Sequence, residues 1–220
     1  RVRRICKAIV DRGLELKISF PNGLRADNMD QETLEWLKRA GTYKINYAIE
    51  TASPRLQRLI KKNLQLEKAK HWIDETSKLG IITFGYFMFG FPTETVEEME
   101  STIAFAVGSN LDTARLFKAT VFRNTALEEL RSDQATTHLD DLEQRSGDVF
   151  HDQSTNCSDI PTEALNRIIT KAHRQFFFQK ARMWRILAKY GPLVGARKLY
   201  TMHKYVTAKE RENEGSWTTH

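Results

Sequence analysis

Strand-like and helix-like segments alternate from residue 2 to residue 122, and no other feature constrains the fold as tightly. Apolar Val2, Ile5, Ala8 and Ile9 recur at helical spacing, and Gly13 closes that segment. LELKISF (14–20) alternates and predicts a strand; Pro21-Asn22-Gly23 after it predicts a turn. Asp30 is placed to cap a helix from Gln31 to Arg39, which Gly41 ends. Tyr43 to Ile49 reads as a second strand, and Ser53-Pro54 opens another helix. Leu66 to Leu79 is helical, Ile81 to Phe89 is the third strand, and Thr95 to Gly108 is helical again. Thr113 to Phe122 is the fourth strand, with a short helix from about Thr125. Strands alternating with helices run parallel and are joined by right-handed crossovers. Four such strands do not close a barrel, for which about eight are typical. The fold class is α/β, either an open sheet or a partial (β/α) TIM-type barrel of about four parallel strands, followed by a C-terminal helical appendage.

The segment GYFMFGFPTET (85–95) proposes where a ligand would sit. An apolar, aromatic strand ends in Gly90-Phe91-Pro92, and a helix with a hydroxyl cap and early acids follows. The C-terminal ends of strands in α/β folds are the usual ligand sites. Gly90 permits close backbone approach and Pro92 stiffens the exit. Glu94 is expected in the first turn of the helix, where its charge suits the dipole. Glu50 ends an otherwise apolar strand, as a ligand or as an ordinary strand-end acid. Arg25 and Asp27 follow the first strand; Arg25 would meet a carboxylate through its forked donors, or pair with Asp27.

Composition narrows the setting. With 220 residues, 40% of them hydrophobic, the chain can bury a sizeable core. It has no apolar run long enough to span a membrane and opens without a signal-like segment. It begins at Arg1 rather than Met, so a processed protein or an excised piece of a longer one is expected. Cys6 and Cys157 are the only cysteines and make no metal or redox motif, which fits a cytoplasmic setting. His138, His151 and Cys157 lack ligand spacing, so no zinc site is expected.

Residues 1–131 form the sheet-bearing part and 132–160 a polar linker. Residues 161–208 form the appendage and 209–220 a loose tail. The appendage reads as one helix from Pro161 to about Tyr190, broken by Gly191-Pro192, then a second to about Val206. Net charge is +6, yet residues from 160 onward carry 12 Lys/Arg against 4 Asp/Glu. That basic part is a solvated face or a surface for an acidic partner. Phe176-Phe177-Phe178 cannot all face one way on a helix, which implies wedging between two surfaces. Stacking on nucleic acid is the alternative and is not the expected use.

Taken in order, the strand ends read PNGLRAD, YAIETAS, FMFGFPTET and KATVFRNT, with LEWLKRAG between the first two. This succession resembles the C-terminal half of a radical SAM core domain. It is closest to the cobalamin-associated class that includes anaerobic magnesium-protoporphyrin monomethyl ester cyclase-like proteins. Glu50, Gly90, Pro92 and Glu94 match the family pattern. Ala48 and Ala52 stand where the family has Gly, Thr51 where it has Ser, Thr93 where it has Gly, and Arg123-Asn124 where it has Pro-Gly.

The resemblance implies an enzyme that binds S-adenosylmethionine (SAM) and a [4Fe–4S] cluster for radical C–H chemistry, with cobalamin also used by some members. It implies that Glu50 holds the SAM ribose and that Gly90, Phe91 and Pro92 flank the adenine, while Arg25 stays a candidate for a carboxylate of SAM or substrate on its own chemistry. The family's C-x-x-x-C-x-x-C run is absent, so no cluster and no tightly held SAM are expected on this chain by itself. The missing N-terminal half of the barrel is then an expected partner. An open sheet side bearing residues such as Ile45, Tyr47, Tyr86 or Met88 also predicts a homodimer or larger assembly, unless Leu165 to Leu187 folds across it. The competing reading is a non-catalytic scaffold that uses the basic helices as its contact surface.

Overall fold

The computed structural model describes residues 1–120, 127–130 and 156–215. Four strands form one parallel sheet in the order β1-β2-β3-β4: β1 Ile18–Leu24, β2 Thr42–Glu50, β3 Ile82–Phe89 and β4 Thr113–Lys118. Helices α1 Val2–Asp11, α2 Gln31–Arg39, α3 Pro54–Leu59, α4 Leu66–Lys78 and α5 Val96–Gly108 precede or join them. Asp30, Ser53 and Thr95 cap α2, α3 and α5 by accepting from Thr33, Leu56 and Glu98 N–H groups. Each of these starts is a Ser, Thr or Asp that the sequence marks.

One face of the sheet is sealed. Ile45, Tyr47, Ile49, Phe87 and Phe89 are fully buried among the helices, and Tyr47 Oη lies 2.6 Å from Thr76 Oγ1 of α4. Burial pushes the Tyr47 phenol up to about 12. The opposite, open face carries Lys44, Asn46 and Ala48 from β2 and Phe84, Tyr86 and Met88 from β3. Tyr86 and Met88 thus lie where the sequence predicts. Ile45 and Tyr47 do not: the two-residue period puts them on the helix side.

Four other elements differ from expectation. β1 starts at Ile18 rather than Leu14, because β2 offers a partner only from Thr42, and Leu14 and Leu16 stay exposed. Pro21-Asn22-Gly23 is no turn. It is an irregularity inside β1, where the register jumps between Phe20 and Leu24. Asn46 Nδ2 and Tyr86 Oη both donate to the Pro21 carbonyl, at 2.9 and 2.8 Å, and hold the irregularity in place. β4 stops at Lys118; Phe122, the Arg123-Asn124 pair and the start of the helix near Thr125 lie outside the described residues, and Glu128–Leu130 is a single 3₁₀ turn. The long C-terminal helix is two, α6 Thr162–Phe177 and α7 Lys180–Tyr190, separated by a break at Phe178-Gln179. The break lets Phe176 and Phe177 bury while Phe178 faces outward, which one straight helix cannot do. Helix α8, Pro192–Gly215, continues past Val206 into the expected tail. Most of the expected linker, with His138 and His151, lies outside the described residues.

The helical part docks through buried cations. Arg182 of α7 is fully buried and donates to the carbonyls of Leu111 (2.8 Å), Ala106, Val107 and Ser109 (3.2, 3.3 and 3.2 Å), and Phe176. All but the Phe176 carbonyl lie at the C-terminal end of α5 or just beyond it, where the helix leaves its last carbonyls without backbone partners, so the guanidinium helps to cap it. Its carbon lies 3.6 Å from the centre of the Phe176 ring. Lys189 donates to Asp112 Oδ2 at 2.7 Å, and the same oxygen accepts from Thr83 N and Oγ1.

Candidate functional site

The C-terminal ends of β1, β2 and β3 meet around the loop between α3 and α4. Glu50, the last residue of β2, has a φ of +66°, a left-handed conformation that non-glycine residues rarely take. A register shift between Ala48 and Glu50 accompanies it. Strained backbone of this kind gathers at functional sites. Lys62 Nζ donates to Glu50 Oε1 at 2.9 Å, and Oε2 has no partner among the described residues.

Arg25 is committed elsewhere. Its Nε and one terminal nitrogen fork onto Asp27 at 3.1 and 2.8 Å, and it donates to the Lys62 and Asn63 carbonyls. Asp27 is buried and also accepts from Gln65 N–H. Burial works to raise the Asp27 carboxyl, but Arg25 and the Gln65 N–H outweigh it and hold it below the ordinary range. Arg25 and Glu50 therefore meet at one residue: Lys62 offers its carbonyl to the first and its ammonium to the second.

Gly90 and Phe91 end β3 in a buried turn. Gly90 has φ +80°, and a Cβ there would lie 2.9 Å from Leu165 of α6. Phe91 packs with Leu56 and Ala119, against Leu59, Ile60 and Met88. Pro92 is also buried. Glu94 departs from the expected helical position. Thr95 is the cap, and Glu94 precedes it, turned back into the protein. Its Oε2 accepts from Gly90 N–H at 2.6 Å and Phe91 N–H at 3.0 Å, while buried Oε1 has no partner among the described residues. Burial raises the Glu94 carboxyl to about 7, against the pull of those two N–H groups.

Sequence reasoning missed a network that holds this turn. Arg55 forks onto Glu98 at 2.9 and 2.6 Å and also binds Thr93 Oγ1 and its carbonyl oxygen. Glu98 completes a capping box with Thr95 and accepts from Ser53 Oγ. Arg55 first, with Ser53 and Thr95 N–H, draws the Glu98 carboxyl down to about 2. Thr93 has φ +62°, the region Gly favours, so Arg55 supports the residue that replaces the family's Gly. The legible signal was T-x-x-E at 95–98; the partner Arg55 lies on another helix.

Comparison with known proteins bears on this geometry directly. Residues 1–106 match the Radical SAM superfamily. The match spans α1 to most of α5, and with it Arg25, Glu50 and the whole Gly90–Glu94 turn.

Two relatives extend the picture. An uncharacterised methyltransferase of Pyrococcus horikoshii is 27% identical over 178 residues, 79% of this chain and 38% of its own length. Cytidylyl-2-hydroxyethylphosphonate methyltransferase of Streptomyces wedmorensis is 32% identical over 124 residues, 53% of this chain and 23% of its own length. The chain thus spans well under half of either relative. Among solved structures, coproporphyrinogen III oxidase of Escherichia coli, described as a radical SAM enzyme, aligns with a TM-score of 0.47 at 18% identity. That alignment covers 59% of this chain and 31% of the other.

The radical SAM cofactors meet two different fits. The cluster does not fit: Cys6 and Cys157 are both buried free thiols, two where the family uses three. No group of His, Cys, Asp and Glu able to hold a metal occurs among the described residues. The nucleoside half of SAM fits better. Glu50 offers one open carboxylate oxygen at a strand end, whereas the Gly90 and Phe91 N–H groups are already taken by Glu94.

Proposed function

We propose that this chain forms the SAM-nucleoside side of a radical SAM catalytic core, with the [4Fe–4S] cluster ligated by residues outside these 220. The observation that carries the reading is the family match over residues 1–106, whose parallel sheet brings Glu50 to a strand end in a strained, half-buried conformation. Bound SAM together with a reduced cluster would supply a radical able to attack an unreactive C–H bond. The names of both relatives favour methyl transfer as the outcome. Any cobalamin would likewise sit outside these residues.

Glu50 Oε2 would accept hydrogen bonds from the ribose hydroxyls, and Lys62 would fix the carboxylate's direction. Gly90, Phe91 and Pro92 would shape the turn beside which the adenine lies. Arg25 would act by fixing the Lys62–Asn63 carbonyls rather than by touching the ligand. The scaffold alternative is weakened by the burial of Arg182 and Lys189, two of the cations it would present to a partner.

The test is SAM binding by equilibrium dialysis to the full-length protein that carries the three cluster cysteines. Glu50→Ala should weaken binding by about 1–3 kcal/mol, the cost of stranding hydrogen-bonded hydroxyls. Unchanged affinity would remove Glu50 from the site.

A further inference from the structure

We propose that the cavity between the sheet and helices α6 and α8 binds a small organic phosphate, with its anionic group at Lys44, Arg115 and Lys198 and its body against Phe84, Ile169 and Met202. The cavity encloses about 740 Å³, within the range that takes a drug-sized or cofactor-sized molecule. It runs from Lys44 and Phe84, near the starts of β2 and β3, along the length of β4. Neither Glu50 nor any residue of the Gly90–Glu94 turn lines it, so it is separate from the SAM site and independent of that reading.

Its charge is one-sided. Lys44, Arg115, Lys118, Arg197 and Lys198 line it, and among the described residues no Asp or Glu does. Lys44, Arg115 and Lys198 are in no ion pair among the described residues. Lys44 and Lys198 face aromatic rings instead, Phe84 at 4.9 Å and Tyr190 at 4.5 Å from the ring centres. Lys44 feels its own burial first, then Lys198 and Arg115, and all three disfavour its charge. Holding cations together in a half-buried space costs stability unless an anion shares it. A multiply charged anion satisfies several cations at once, and phosphate suits both the Arg fork and the Lys point charge. The remaining wall is apolar and hydroxylic, with Phe117, Ile169, Phe177, Val194, Met202 and Thr201, which calls for a hydrophobic body on the phosphate.

The experiment is calorimetric titration of the 220-residue chain at low salt with 1-naphthyl phosphate, 1-naphthol and inorganic phosphate. The aromatic phosphate should bind, and each of the other two should bind at least tenfold more weakly. Lys44→Gln and Lys198→Gln should each weaken the aromatic phosphate at least tenfold, while Lys68→Gln, on the exposed face of α4, should not. Arg115→Gln, at an exposed position on β4, serves as the variant least able to disturb folding. Circular dichroism identifies any variant that fails to fold, and the raised melting temperature of the unaltered chain with 1-naphthyl phosphate then stands as the independent readout. Absence of binding, naphthol binding as tightly as its phosphate, inorganic phosphate binding equally, or full affinity in folded Lys198→Gln would each overturn the proposal.

Discussion

Glu94 should make the stability of this protein fall as pH rises through the weakly acidic range, and Glu94→Gln should abolish that fall. The carboxyl has an ordinary value of 4.5 when the chain is unfolded and about 7 when folded. Between those values the folded state keeps a proton that the unfolded state has lost. Stability from this group is therefore complete below pH 4.5, declines up to pH 7, and stays reduced above it. A shift of this size corresponds to about 3 kcal/mol. Burial of the side chain, which penalises charge, sets it first, and the nearby Glu98 carboxylate adds to it. Glutamine keeps an oxygen for the Gly90 and Phe91 N–H groups and removes the titration. Its amide nitrogen lacks a partner, which costs about 1–2 kcal/mol at every pH. Urea denaturation followed by circular dichroism should thus show the variant less stable near pH 5. Between pH 5 and pH 8 it should gain about 2–3 kcal/mol relative to the unaltered protein. Glu98, drawn down to about 2, titrates below this window and does not mask the effect. Parallel pH profiles for the two proteins would refute the reasoning.

Three further outcomes follow from the structure. Arg182→Ala removes a buried cation from five carbonyls and should cost about 3–5 kcal/mol in urea denaturation; a loss under about 1 kcal/mol would show that the helices dock without it. Anaerobic reconstitution with iron and sulfide should leave the 220-residue chain without a stoichiometric [4Fe–4S] cluster, and about four irons per chain with matching absorption would contradict the thiol count. Light scattering should give a dimer or larger, since β1 pairs only with β2 and leaves its other edge open among the described residues; a constant 25.5 kDa mass would count against it.

The helices and the inner strands were legible because their signals are local. Capping residues at Asp30, Ser53 and Thr95 and glycines at 13, 41 and 80 mark boundaries within a turn or so of each element. Strand β1 was misplaced because a strand is defined by its neighbour, and no pattern in LELKISF announces that β2 begins only at Thr42. The break at Phe178 follows from burial demands on consecutive aromatic residues, which periodicity alone spreads over one helix. At the candidate site, residue positions were readable and partners were not. Lys62 beside Glu50 and Arg55 beneath Thr93 are pairings between separate elements, and Glu94 folded back onto Gly90 is a local closure that only burial imposes. Glu94 shows the limit most clearly: an acid before a helix cap reads as a dipole partner until its burial is seen.

The closeness of Leu165 to Gly90, which leaves no room for a Cβ there, sets an order of events. Synthesis delivers β3, the turn and α5 well before α6 emerges. The Glu94 bonds can form at once, because they close over a few residues. The wall supplied by Leu165 cannot, since it waits on a contact across a long loop of chain. A newborn chain would thus present an unroofed turn, and the candidate site would acquire its final shape as one of the last acts of folding.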